Sequence, residues 1–161
     1  LGNAWFVKEY ELVLNADSEL LTLNDFDPSK TAIVDSKFSE MLDDFIIQPD
    51  TAAHIRLTDY KPNALAYESQ AQSEQLAVFS EIYYPDGWNA YLDGEPAQYF
   101  RANYVLRAMR VPAGKHKIEF RFEPMEYAVG EAVSLISSIL LLLVLAGVAY
   151  GKLKQRAEDG S

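Results

Sequence analysis

Residues 132–151 read AVSLISSILLLLVLAGVAYG, twenty positions without one charged side chain. As a helix rising 1.5 Å per residue, such a run spans about 30 Å, the thickness of a bilayer's hydrocarbon core. A helix that is apolar all round must be buried all round, and the rest of a 161-residue chain is too small to wrap it. The run therefore predicts one C-terminal transmembrane helix over residues 128–151. Lys152, Lys154 and Arg156 follow it, whereas Glu123, Glu126 and Glu131 precede it. The positive-inside rule then places the tail, residues 152–161, in the cytoplasm and residues 1–131 outside. Lys117 and Arg121 also lie upstream, but in a stretch that reads as a folded strand, where charge does little to block translocation.

A domain outside the membrane needs a signal peptide or an upstream membrane helix. The chain instead opens LGNAWFVKEYELV, with no Met and no apolar signal core. The expectation is a C-terminal piece of a longer membrane protein; the competing reading is a tail-anchored protein with its domain in the cytosol. The formal net charge of −10 argues against nucleic acid as a partner, because phosphate recognition starts from clustered Lys and Arg. The lack of cysteine excludes disulfides, thiolate metal sites and a cysteine nucleophile. The charge is uneven: residues 1–95 carry a net −13 and residues 96–123 a net +4. Either basic strands pack beside acidic ones, or the basic strands form a face for anionic headgroups or a phosphate-bearing substrate.

The body of the chain reads as short strands punctuated by Gly and Pro turns. Residues 5–14 have strand character, Asp17 caps a short helix to Leu23, residues 31–34 are β-like, and residues 36–45 space Phe38, Met41, Leu42 and Phe45 as a helix does. Strands are then expected at 53–60, 64–69, 76–84, 88–92, 104–111 and 116–123. Asp93-Gly94 suits a two-residue type I′ hairpin, whose central positions need positive φ. In the last strand Ile118, Phe120 and Phe122 alternate with charged residues and point inward. The predicted fold is mainly β: an antiparallel β-sandwich of jelly-roll or immunoglobulin-like type over residues 51–127, with residues 1–50 a small αβ cap packed on it.

Chemistry is sparse. His54 and His116 fall on different predicted strands, in no metal-binding spacing, and no nucleophile elbow, phosphate loop or dinucleotide fingerprint is present. No catalytic residue, metal site or cofactor is predicted. The concentrated feature is aromatic: Tyr83, Tyr84, Trp88, Tyr91, Tyr99, Phe100 and Tyr104 fall within 22 residues, among Asp, Asn and Arg. Such a set either fills a sandwich core and sits at a membrane interface, or stacks on sugar rings while polar neighbours bond their hydroxyls. On the second reading the glycan-contact candidates are Tyr84, Trp88, Tyr91, Asn103 and Arg107.

Residues 79–124 carry several motifs in series: Tyr84-Pro85-Asp86-Gly87-Trp88, the Asp93-Gly94 hairpin, an R-x-N-Y-x-x-R stretch from Arg101 to Arg107, and VPAGKHKIEFRF from Val111 to Phe122, followed by the apolar helix. This series closely resembles the C-terminal end of bacterial YfhO-like membrane proteins, and Gly2-Asn3-Ala4-Trp5 fits the start of their extracytoplasmic domain. The resemblance implies a multi-spanning protein of the bacterial cytoplasmic membrane, similar to GT-C glycosyltransferases that use polyprenyl-phosphate sugars to decorate envelope glycans. It implies upstream membrane helices of the same protein as partners. Catalytic acids of that architecture lie between early helices outside this chain, so none carries over. The domain is then an accessory or glycan-contacting module, or alternatively a non-enzymatic one used for stability or partner binding.

Overall fold

The computed structural model describes residues 1–124, 130, 133–143 and 145–146. The chain divides into two compact units, Leu1–Phe122 and Glu123–Ser161. In the first, the elements run β1 (Ala4–Phe6), β2 (Glu9–Val13), α1 (Ala16–Thr22), β3 (Thr31–Asp35), β4 (His54–Lys61), β5 (Ala64–Ala71), β6 (Gln75–Ile82), β7 (Trp88–Leu92), β8 (Glu95–Ala97), β9 (Phe100–Ala102), β10 (Leu106–Val111) and β11 (Gly114–Phe122). Short 3₁₀ turns cover Leu23–Asp25 and Ser36–Leu42.

The fold is mainly β, with two antiparallel sheets ordered β1-β6-β10-β9 and β4-β5-β11-β7-β8. A parallel pair, β2-β3, forms a third small sheet. Residues of both large sheets share one core: Leu65, Tyr67, Ala90, Ile118 and Phe120 of the five-stranded sheet meet Ala77, Phe79, Met109 and Val111 of the four-stranded one. The rings of Tyr67, Phe79 and Phe120 pack edge to face at centroid distances of 4.9 to 6.2 Å. A second core lies on the other side of the four-stranded sheet, where Leu76, Val78, Phe100 and Ala108 meet Ala32 and Val34 of β3 and the Leu42 to Phe45 segment. The consecutive apolar run Leu76-Ala77-Val78-Phe79 in β6 follows from this, since both faces of the strand are covered.

Several expectations change in detail. Residues 5–14 do not form one strand: the chain leaves the β6 ladder after Val7, whose N–H donates to Leu76 O, and Lys8 and Glu9 turn to Lys30 O. β1 thus joins the four-stranded sheet and β2 the parallel pair. The cap of α1 is Asn15, whose side chain accepts from Ser18 N, and not Asp17. The expected strand 104–111 starts only at Leu106, because Asn103 and Tyr104 adopt left-handed backbone, φ 48° and 69°, in the turn from β9. Phe122, expected inside, is 39% exposed at the end of β11. The Asp93-Gly94 hairpin has the positive φ values, 53° and 90°, that its sequence requires.

In the second unit residues 133–143 and 145–146 are helical. Their large apolar side chains, from Val133 to Leu145, are exposed, and the hydroxyls of Ser137 and Ser138 donate back to Val133 O and Ser134 O, each at 2.8 Å. Among the described residues no helix is long and apolar enough to cross a membrane. The expected span, 128–151, lies partly outside the described residues and the expected tail, 152–161, wholly outside them.

Candidate functional site

The R-x-N-Y-x-x-R stretch is the densest polar cluster of the interior. Arg101 of β9 and Arg107 of β10 stand directly opposite each other in the ladder, a pairing of like charges that is unfavourable unless each finds its own surroundings. Arg101 reaches Glu19 of α1, Nη2 to Oε2 at 2.7 Å, and Asp35 of β3 at 3.4 Å. Glu19 is fully buried, and its other oxygen accepts from Tyr104 N at 2.7 Å. Asn103 extends the β3 backbone sideways: its Oδ1 accepts from Ile33 N and its N–H donates to Ile33 O, both at 2.8 Å. Left-handed geometry at Asn103, which Asn tolerates well, lets one residue make both bonds. The stretch therefore clasps α1 and β3 to the edge of the four-stranded sheet.

Arg107 turns elsewhere. It is 2% exposed and, among the described residues, has no carboxylate within ion-pair distance: its Nε donates to Ile82 O at 3.0 Å, and its guanidinium lies 4.3 Å from the Trp88 ring centre and 5.0 Å from that of Phe120. Its Nη1 and the nearby Tyr67 hydroxyl are buried with no hydrogen-bond partner among the described residues. Burial pushes the Arg107 pKa down and the Tyr67 and Tyr99 phenols up. Tyr99 closes the same end, its hydroxyl within reach of Trp88 O at 3.0 Å and Tyr84 O at 3.3 Å.

The five glycan-contact candidates do not share a face. Asn103 and Arg107 are buried in the roles just described. Trp88 is half-buried between Arg107 and Phe122, the latter at a ring distance of 5.5 Å, and Tyr84 stands exposed beside it. Tyr91 is separated from them by strand alternation: Trp88 and Leu92 pack on the core, while Tyr91 lies under the Arg121 guanidinium at 4.6 Å. The basic strands likewise pair internally, in part with the acidic body. Besides Arg101, Arg110 makes a two-point bond to Glu74 at 2.9 and 3.2 Å, whereas Lys117 and Arg121 flank Glu119 of their own strand.

The two histidines, far apart in sequence, border one cleft of about 520 Å³ with Arg56, Glu68, Asp93 and Lys115. His116 Nδ1 lies 2.6 Å from Asp93 Oδ2 and its Nε2 3.1 Å from Ala113 O, so the doubly protonated ring satisfies both acceptors. Its pKa is raised chiefly by the Asp93 carboxylate, and that of Asp93 is lowered in return. Among the described residues no three His, Asp or Glu side chains are placed to hold a metal ion. Reading the sequence alone missed Glu19, because it lies between a cap and two leucines with no pattern to separate it from the chain's other acids.

Comparison with known proteins agrees with these motifs. Residues 42–134, more than half the chain, match the family described as bacterial membrane protein YfhO. The curated proteins and the solved structures give no match. The matched span holds the R-x-N-Y-x-x-R clasp, the Asp93–His116 hairpin lock and both faces of the sandwich core, and the chain belongs to the YfhO family of bacterial membrane proteins.

Proposed function

We propose that this chain is the outer end of a longer, multi-spanning protein resembling polyprenyl-phosphate-sugar-dependent glycosyltransferases, with residues 1–124 a rigid accessory β-domain outside the cytoplasmic membrane. Residues 128–151 cross the bilayer and residues 152–161 reach the cytoplasm. The observation that carries this reading is family membership combined with the apolar second unit, whose leucines and isoleucines are exposed while its serine hydroxyls bond within the helix. A helix with its polar groups internally satisfied and its apolar groups outward is suited to lipid. The interior supports the accessory role: the arginines of the family-like motif are engaged in holding layers together or in stacking on rings. Polyprenyl-phosphate sugar and envelope glycan are the partners this reading gives the whole protein, with catalysis in its upstream part.

Topology is the first test. In intact cells expressing full-length protein free of other cysteines, a membrane-impermeant maleimide should label Ser73→Cys directly and Ser161→Cys only after permeabilisation. Labelling in the reverse order would overturn the reading. The non-enzymatic alternative is separated from it by deleting the gene: loss of one envelope sugar modification supports the glycosyltransferase reading, and an unchanged glycan profile supports a purely structural membrane protein.

A further inference from the structure

The exposed aromatics of Leu1–Phe122 are concentrated at one end of the sandwich. Among its described residues the exposed large aromatic side chains are Tyr60, Tyr84, Tyr104 and Phe122. Strand pairing places them together. Lys61, Ala64 and Arg121 form the last cross-strand row of the five-stranded sheet, and Phe122 pairs with Trp88 beside it. Leu106 pairs with Ile82 at the matching end of the four-stranded sheet, and Tyr83 N donates to Val105 O across the adjoining turns. Arg107 joins the two sheet ends, bonded to Ile82 O and stacked on Trp88 and Phe120. Ile82 and Val105, both exposed, complete a rim of isoleucine, valine, tyrosine and phenylalanine. The opposite end, with Gln72, Ser73 and Asp93 in its turns and Lys115 at the start of β11, is polar.

Single exposed apolar residues need no explanation, but a rim of them does. Its composition favours one kind of surface. Tyrosine and tryptophan are amphipathic, with an apolar ring and a polar tip, and concentrate where hydrocarbon meets water. Asp86, in the turn beside Tyr84, keeps such a rim at headgroup depth, short of the hydrocarbon. Chain continuity supplies the second argument. β11 ends at this rim with Phe122, and only residues 123–131 separate it from the uncharged run. Nine residues span at most about 30 Å even when fully extended. The far end of β11, at Gly114, is roughly 27 Å farther along the strand.

We infer that this end of the sandwich is a lipid-contacting rim, with Tyr60, Ile82, Tyr84, Tyr104, Val105 and Phe122 resting in the headgroup layer of the membrane's outer leaflet. The inference rests on the reading that residues 128–151 cross the bilayer, and adds the orientation of the domain upon it. It gives the ring-stacked Arg107 a purpose: it fixes both sheet ends in one plane, so the rim is presented as a unit.

The test is depth-resolved quenching on the full-length protein, reconstituted into phosphatidylethanolamine–phosphatidylglycerol liposomes and carrying one bimane-labelled cysteine at a time. Probes at Tyr84→Cys and Val105→Cys should lose most of their emission to lipids spin-labelled at the headgroup, and a probe at Ser73→Cys should lose little. A Ser138→Cys probe, quenched by lipids spin-labelled along the acyl chain, reports the span itself. Ser138 quenched with Tyr84 and Val105 as bright as Ser73 would overturn the rim alone. Ser138 unquenched would overturn the membrane-crossing reading and the rim with it. Agreement between the two rim positions guards against one substitution disturbing the fold.

Discussion

The four-stranded sheet is covered on both faces, whereas the five-stranded sheet packs one face on the shared core and leaves the other to solvent, and their charged residues differ accordingly. On the open sheet, Arg56 and Glu68 form a 2.7 Å pair with side chains 70% and 55% exposed. At the edge of the covered sheet, Arg101 and Glu19 form a pair of the same length with side chains 18% and 0% exposed. Equal geometry does not mean equal energy. An exposed pair is worth about 0–1 kcal/mol, because water and salt screen it and two long side chains must be ordered. Breaking a buried pair strands a charge in low dielectric.

The largest effect should therefore come from Arg101→Met, which leaves the Glu19 carboxylate buried opposite an apolar chain. A loss of about 3–5 kcal/mol is expected in urea unfolding of the β-domain. A loss near that of Arg56→Ala would show that water reaches Glu19 and would erase the contrast between the sheets. Asn103→Gly comes next. Glycine keeps the left-handed backbone but removes the acceptor for Ile33 N, so about 1–3 kcal/mol should be lost, the usual result of leaving a buried donor unpaired. Asn103→Ala should lose more, because alanine also resists positive φ.

Arg107→Met isolates the covered sheet's second arginine. Among the described residues it has no carboxylate to strand, and its burial disfavours the charged form. Removing it forfeits one carbonyl bond and two ring contacts but also relieves a desolvated cation. Stability should change by no more than about 1 kcal/mol, far less than for Arg101, its direct partner in the ladder. A loss matching that of Arg101→Met would mean that Arg107 has an anionic counterpart in the folded domain.

Much of this arrangement was legible in the sequence where local pattern and tertiary packing agree. The alternation of β11, the Asp93-Gly94 hairpin and the apolar run of β6 each follow from one strand's own residues. The misread places are those where a distant segment decides. The break after Val7 depends on carbonyls at Leu76 and Lys30, and the late start of β10 depends on Asn103 bonding to Ile33, seventy positions away. For the same reason the burial of Asn103 and Arg107 has no local signature: it comes from layers formed by other parts of the chain. Tyr84 and Trp88 differ in this respect, since they lie beside the turn between the sheets with their carbonyls within reach of one Tyr99 hydroxyl, a proximity local to the chain.

The smallest effect belongs to the open sheet and is a pH dependence. His116 has its pKa raised by Asp93, so its contribution is fully present below the ordinary histidine value near 6.5 and is lost as pH rises through the higher folded value. Asp93 has its pKa lowered, so its contribution is present above about 4 and is lost as pH falls through the folded value. The pair is thus strongest between about pH 4 and 6.5. Wild type should exceed His116→Gln by about 0.5–1 kcal/mol at pH 5.5, with the margin shrinking toward pH 9, since both side chains keep contact with water. A margin equal at both pH values would show that the hairpin is locked by the neutral ring and by the bonds of Asp93 to the Lys117 backbone, without a charge pair. The open sheet would then owe nothing measurable at this hairpin to ionic contacts, and the contrast with Arg101 and Glu19 would widen.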